Sequence, residues 1–248
     1  MWPALKNEKV IAFLIHHHLL AQLGTDLWKT RTDKVAAETF TLTYGALVVQ
    51  LLRDYEDYHL VNAQLERMGY NIGTRLIEDF LARSGLPRCS DFAMVGQVVA
   101  KVGFKMFLNV SPGVGMVANP TPTTAGAVVG GSAAAAAADG ASSASTAAGS
   151  NAGNGGQGST AAPQNIQEFA LTLDENPLAE FVELPPDARA KGLWFSNVLC
   201  GVIRGALEMV QMQTEAYFVS DTLRGDDTTE IRVRLIRTLD EEGPIADD

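Results

Sequence analysis

Cysteine is scarce in this chain: Cys89 and Cys200 are the only two. Two thiols make no disulfide framework, and a reducing compartment is the simpler expectation. Histidine is nearly as rare. His16, His17 and His18 stand together near the N-terminus, and His59 is the fourth. Consecutive helical residues point in different directions, so the triplet makes a poor metal site and no metal is expected. Basic residues are outnumbered, with 19 Lys and Arg against 29 Asp and Glu and a net charge of −10. A surface that tracks phosphates needs clustered Lys and Arg, and no basic run occurs, which argues against nucleic acid as a partner. No apolar run approaches bilayer length. Lys6 and Lys9 precede Val10–Ile15 in the manner of a signal peptide, but the run is short and no small-residue cleavage site follows.

Catalytic signatures are missing as well. No Gly-rich phosphate loop, nucleophile elbow, Cys-x-x-Cys or His-Glu-x-x-His occurs. Glu78 and Asp79 are adjacent on one helix and diverge. A Cys89–His59 dyad has no third group to orient it. The expectation is therefore no catalytic residues.

What the chain does contain is a small domain interrupted by an insert. Residues 113–162 are almost entirely Ala, Gly, Ser, Thr, Asn and Pro. This composition offers too little apolar surface to offset ordering, and the segment reads as a low-complexity, disordered insert. Residues 243–248 read as an acidic, solvated tail. The remaining segments, 38–112 and 163–242, have the size of one domain with one core.

Within that domain, Tyr44, Leu47, Leu51, Tyr55 and Tyr58 recur at helical spacing, predicting a helix over Thr41–Tyr58. Val61, Leu65, Met68, Ile72, Leu76 and Phe80 predict a second over Val61–Arg83. Gly69 and Gly73 interrupt it at i,i+4, where close approach of another backbone would compensate their poor helix propensity. Gly85-Leu86-Pro87 ends it, and Ser90 or Asp91 can cap a third helix, Phe92–Leu108. This one is apolar nearly all round, with Gln97, Lys101 and Lys105 as a polar stripe. Two readings follow: a central core helix, or one wall of an apolar cavity.

Phe169, Leu171 and Leu173 alternate as in a half-buried strand. Glu180–Leu184 reads as a second short strand, and Phe195–Leu223 as one long helix. In that helix Gly201 and Gly205 again lie at i,i+4, and Arg204 is placed to pair with Glu208. Ile231, Val233 and Leu235 alternate in a last strand. The order gives an α+β fold, a helical layer against a small antiparallel sheet. Cys89 lies beside Arg88 and a helix N-terminus, both of which favour a thiolate; an exposed loop cysteine without a role is the alternative. Cys200 reads as a small buried hydrophobe.

The blocks FTLTYGALV (Phe40–Val48), MGYNIGTRLIEDFLARS (Met68–Ser84), RCSDF (Arg88–Phe92), AKVGFKMFL (Ala100–Leu108), NPLAEFVELP (Asn176–Pro185) and SNVLCGVIRGALEMVQM (Ser196–Met212) resemble the subunit 3 family of the TRAPP (transport protein particle) complex. TEIRVRLIR (Thr229–Arg237) fits the family's terminal strand. The resemblance implies a TRAPP small-subunit fold that pairs through helices, as a heterodimer or homodimer with other TRAPP small subunits. It implies a tethering complex in ER-to-Golgi vesicle transport that promotes nucleotide exchange on a Rab-type GTPase. Such a complex is cytoplasmic, peripheral on the cis-Golgi network and ER-derived vesicles, and meets membrane through its assembly.

The resemblance further implies a palmitate-like acyl chain attached to Cys89 and held in an apolar tunnel, with no other cofactor. The tunnel is expected at Val99, Val102, Gly103 and Met106, with Arg88 supporting the thiolate. Pairing is expected at Leu65, Met68, Gly69, Ile72 and Gly73. Residues 1–37 read as an extension outside the family, and the insert replaces a short loop of the family. A stand-alone lipid- or small-molecule-binding module and a self-acylating thiol enzyme are the competing functions.

Overall fold

A computed structural model describes residues 4–87, 89, 91–117 and 167–239. Most of the insert, Arg88, Ser90 and the acidic tail lie outside the described residues. The helical layer contains α1 (Ala4–Thr30), α2 (Ala37–Tyr55), α3 (Tyr58–Ser84), α4 (Phe92–Val98), α5 (Phe104–Leu108), the short α6 (Pro186–Ala190) and α7 (Val198–Met209). A π-helical turn, Val99–Gly103, joins α4 to α5. The sheet is antiparallel, in the order β1 (Gly113–Met116), β2 (Glu168–Leu173), β4 (Thr229–Thr238), β3 (Met212–Ser220). The α+β fold class expected from the sequence is the one observed.

The centre of the domain is the crossing of α3 and α7. A β-carbon on Gly73 would lie 2.2 Å from the Val202 carbonyl oxygen, and one on Gly201 would lie 2.0 Å from that of Glu66. Four glycines, 69 and 73 on α3 with 201 and 205 on α7, bring the two backbones into contact. At that range the glycine Cα–H groups face carbonyl oxygens, a recurring contact of close helix pairs. Arg204 reaches across to Glu66 of α3 and stacks over Tyr70, rather than pairing along its own helix with Glu208. Asn62 of α3 fixes the segment before α7, with Nδ2 donating to Gly192 O at 2.8 Å and Oδ1 accepting from Trp194 N at 2.9 Å.

The sheet presents Phe169, Leu171, Ile231, Val233, Ala216 and Phe218 to this core. Its outer face carries Glu168, a buried carboxylate held by Arg234 at 3.1 Å and by the Tyr217 hydroxyl at 3.1 Å.

Four sequence expectations change. The long helix over 195–223 is two elements: α7 stops at Met209, Gln211 takes a left-handed φ of 68°, and β3 follows. Met212, Thr214, Ala216 and Phe218 are buried alternately, the two-residue period of a strand. Residues 180–184 form no strand: a turn over 177–181 leads into irregular chain, with the Asn176 side chain accepting from Leu178 N at 3.1 Å, its carbonyl from Ala179 N at 2.9 Å, and the Ala179 carbonyl from Val182 N at 3.0 Å. The start of the expected insert, Gly113–Met116, is strand β1, whose backbone pairs with β2. Finally, residues 4–30 of the expected extension are helical. Leu20 and Leu27 of α1 are buried against Phe80, Val102 and Met106.

Candidate functional site

An apolar cavity of about 380 Å³ lies between α3, the α4–π–α5 segment and α7. Its volume is that of a small-molecule pocket. α3 contributes Ile72, Leu76, Ile77 and Phe80; α7 contributes Val202, Ile203 and Ala206. Val95, Val99, Gly103 and Phe107 form the third wall. Among the described residues the lining is apolar, and Cys89 supplies its one nucleophilic atom. Such a lining gives no hydrogen bonds to a polar ligand. It suits an aliphatic one, whose burial is worth about 0.8 kcal/mol per CH₂.

The cavity reading of the third helix therefore prevails over the solid-core reading, and the π turn explains which residues face inward. The turn holds Val99–Gly103, with Phe104 N bonded back to Val99 O. It adds a residue to the helical circuit and changes the facing set. Gly103 and Val99 line the cavity. Val102 and Met106 do not: both are fully buried on the opposite side, against Leu20 and Leu27 of α1. Sequence reasoning misplaced them because it treated the helix as regular and α1 as external. A β-carbon on Gly103 would find only Val98 O, 3.9 Å away, so the glycine leaves open space.

Cys89 is half-buried in the loop between α3 and α4, its Sγ 3.9 Å from Pro87 O. Burial raises its pKa, and the Asp91 carboxylate raises it further. Both act against the thiolate that the sequence leads one to expect. The amide end of α4 is already occupied: Asp91 caps it, accepting from Ala93 N at 3.1 Å. Its negative charge opposes ionisation of the neighbouring thiol. Arg88, expected to support the thiolate, lies outside the described residues. His59 is on α3, and its ring approaches Gly192.

The expected pairing residues separate into two groups. Leu65 is fully buried in the domain's own core, and Gly69 and Gly73 are covered by α7. Their small size serves the internal crossing. Ile72 remains 47% exposed, and Met68 is partly exposed. Phe40, Leu42, Leu47 and Val49 of α2 are exposed as well, and of these only Leu47 belongs to the apolar stripe read from the sequence.

A family model described as transport protein particle (TRAPP) component matches residues 40–118 and 156–234. The chain is 49% identical over 228 residues to the transport protein particle subunit bet3 of Schizosaccharomyces pombe, covering 92% of this chain and 98% of the relative. It is 44% identical over 230 residues to the trafficking protein particle complex subunit BET3 of Saccharomyces cerevisiae, covering 92% of this chain and 95% of that one. Among solved structures it is similar to a trafficking protein particle complex subunit 3 from Naegleria fowleri covalently bound to palmitic acid. The TM-score is 0.61 at 38% identity, covering 83% of this chain and 98% of that one.

Proposed function

The chain belongs to the TRAPP component family, in its subunit 3 branch, and from that premise we propose that it holds a palmitate-like acyl chain on Cys89 within the apolar cavity and pairs with other TRAPP small subunits. Its role is that of a component of a trafficking complex. The observation that carries the acyl proposal is the lining: a cavity of about 380 Å³ that is apolar among the described residues, with the Cys89 thiol on its wall. The palmitic acid bound covalently by the Naegleria fowleri relative supports the same reading.

One acyl chain inserted in a bilayer gives only marginal, reversible anchoring. Held in the cavity it becomes part of the apolar core instead, and contact with membrane passes to the assembly. The exposed apolar residues Phe40 and Leu47 of α2 and Ile72 of α3 support pairing with a similar helical subunit. Nucleotide exchange on a Rab-type GTPase then belongs to the assembled particle, because displacing switch loops depends on surface complementarity. On this reading the chain works in the cytoplasm, on ER-derived and cis-Golgi membranes, through that particle.

An affinity pull-down of the tagged full chain from its own cells tests the assembly. Recovery of a stoichiometric set of small subunits supports it. Recovery of the chain alone, with lipid, favours a stand-alone lipid-binding module.

A further inference from the structure

The cavity's third wall has a back as well as a front. Its N-terminal half is held by the sheet: Phe92 packs on Phe169 with ring centroids 4.9 Å apart, and a β-carbon on Gly96 would lie 3.0 Å from the Phe169 ring. Its C-terminal half, the π turn and α5, is backed by α1. There the backbones touch. A β-carbon on Gly24 would stand 2.1 Å from the Lys101 carbonyl oxygen, in the middle of the π turn. Gly24 thus makes with the π turn the same close contact that the four glycines make between α3 and α7.

Two further features tie α1 to the cavity. Its Leu20 and Leu27 form an apolar cluster whose partly buried members include Ile77, Leu86, Val98 and Phe107. All four also line the cavity. At its C-terminal end, Arg31 donates to the Arg83 carbonyl at 3.1 Å, and Arg83 donates back to the Arg31 carbonyl. Each arginine caps the other helix's C-terminal end, where carbonyls lack intrahelical partners. Arg83 is also anchored by Asp79 at 2.8 Å. The loop that leads to Cys89 begins immediately after.

We infer that residues 17–31 are a strap that holds the π turn and α5 against the cavity, with Gly24 as its positioning residue, and that the strap sets how long a chain stays inside. Only the last clause rests on the acyl reading. A π turn interrupts the regular i→i−4 ladder of the helices flanking it with an i→i−5 bond, here Phe104 N to Val99 O. Without backing from α1 its wall opens locally, and a bound chain gains an exit that does not involve the mouth beside Cys89.

The test uses the full chain purified from bacteria, with Gly24→Val, the milder Leu27→Ala in case Gly24→Val fails to fold, and the outward-facing Leu19→Ala as control. Amide hydrogen exchange over residues 99–108 should quicken by about tenfold in the first two, with β4 unchanged, since local opening is read there segment by segment. Bound cis-parinaric acid, a fluorescent fatty acid, should dissociate faster from both variants than from wild type or Leu19→Ala. Unchanged exchange over 99–108 overturns the strap, as does a uniform acceleration that includes β4. Faster local exchange in the variants, where even wild type takes up no parinaric acid, leaves the strap standing and overturns the claim that it sets retention. Faster exchange with an unaltered dissociation rate overturns the claim that the strap sets retention.

Discussion

Gly69 of α3 lies so close to Val198 of α7 that a β-carbon on Gly69 would stand 2.0 Å from the Val198 carbonyl oxygen. In an isolated helix Gly69→Ala would gain about 1 kcal/mol of helix propensity. Here the added methyl meets backbone, which moves only if the whole crossing opens. The overlap decides the sign: Gly69→Ala should destabilise by about 1–3 kcal/mol, the range of over-packed cores. Chemical denaturation of wild type and variant checks it. A variant as stable as wild type would mean that the crossing is looser than these contacts imply.

Ile72 is one turn from these glycines and remains 47% exposed. It also lines the apolar cavity, so the variant is compared in the acyl-free chain. There Ile72→Glu should leave the melting temperature within a few degrees of wild type, as at other exposed positions. It should abolish pairing with the partner subunit in co-purification. A variant that melts early and still pairs would place Ile72 in the chain's own core.

These two neighbours mark what was readable in the sequence. The i,i+4 glycines on two helices announced a close backbone contact, but a periodic stripe cannot say whether the second backbone belongs to the same chain. Gly69 and Gly73 face α7, whereas Ile72 lines the cavity and stays 47% exposed. Cys89 and Gly103 were placed at an apolar tunnel by the family resemblance rather than by any pattern in the residues, and both line the cavity. Val102 and Met106 do not, since a π turn leaves no pattern in a single sequence and shifts every residue after it. β3 carried its own signal in the alternation of Met212, Thr214, Ala216 and Phe218. The helical period of the residues before it obscured that signal, and the break at Gln211 is a backbone conformation rather than a Gly or Pro.

Gly103 gives the cleanest separation of cavity from fold. Its missing β-carbon faces open space, the nearest atom being Val98 O at 3.9 Å. Gly103→Leu should therefore fold with a melting temperature near that of the empty wild-type chain, while its side chain occupies the volume an acyl chain needs. Acyl incorporation, followed by intact mass, should fall at least about tenfold, the loss expected when a buried apolar site is filled by protein. Normal incorporation would place the chain elsewhere.

The Cys89 thiol makes a pH prediction with a definite sign. Burial and then Asp91 raise its pKa, so the neutral thiol persists to higher pH than in a free peptide. Since the thiolate is the nucleophile, alkylation by iodoacetamide should be slower than that of free cysteine at neutral pH. The rate should keep climbing above the usual thiol pKa of about 8.5. Asp91→Asn keeps a side-chain cap but removes the charge, and should shift the rate profile toward lower pH. A profile that levels off below the usual thiol pKa would show that the thiolate is favoured after all.

The most direct measurement is the intact mass of the full chain purified from eukaryotic cells, before and after hydroxylamine, beside Cys89→Ser. Hydroxylamine cleaves a thioester and leaves other acyl linkages largely untouched. The account predicts wild-type chain heavier by one palmitoyl-sized group, loss of that increment with hydroxylamine, and no increment in Cys89→Ser. A wild-type chain at its unmodified mass, or an increment that survives in Cys89→Ser, would contradict it.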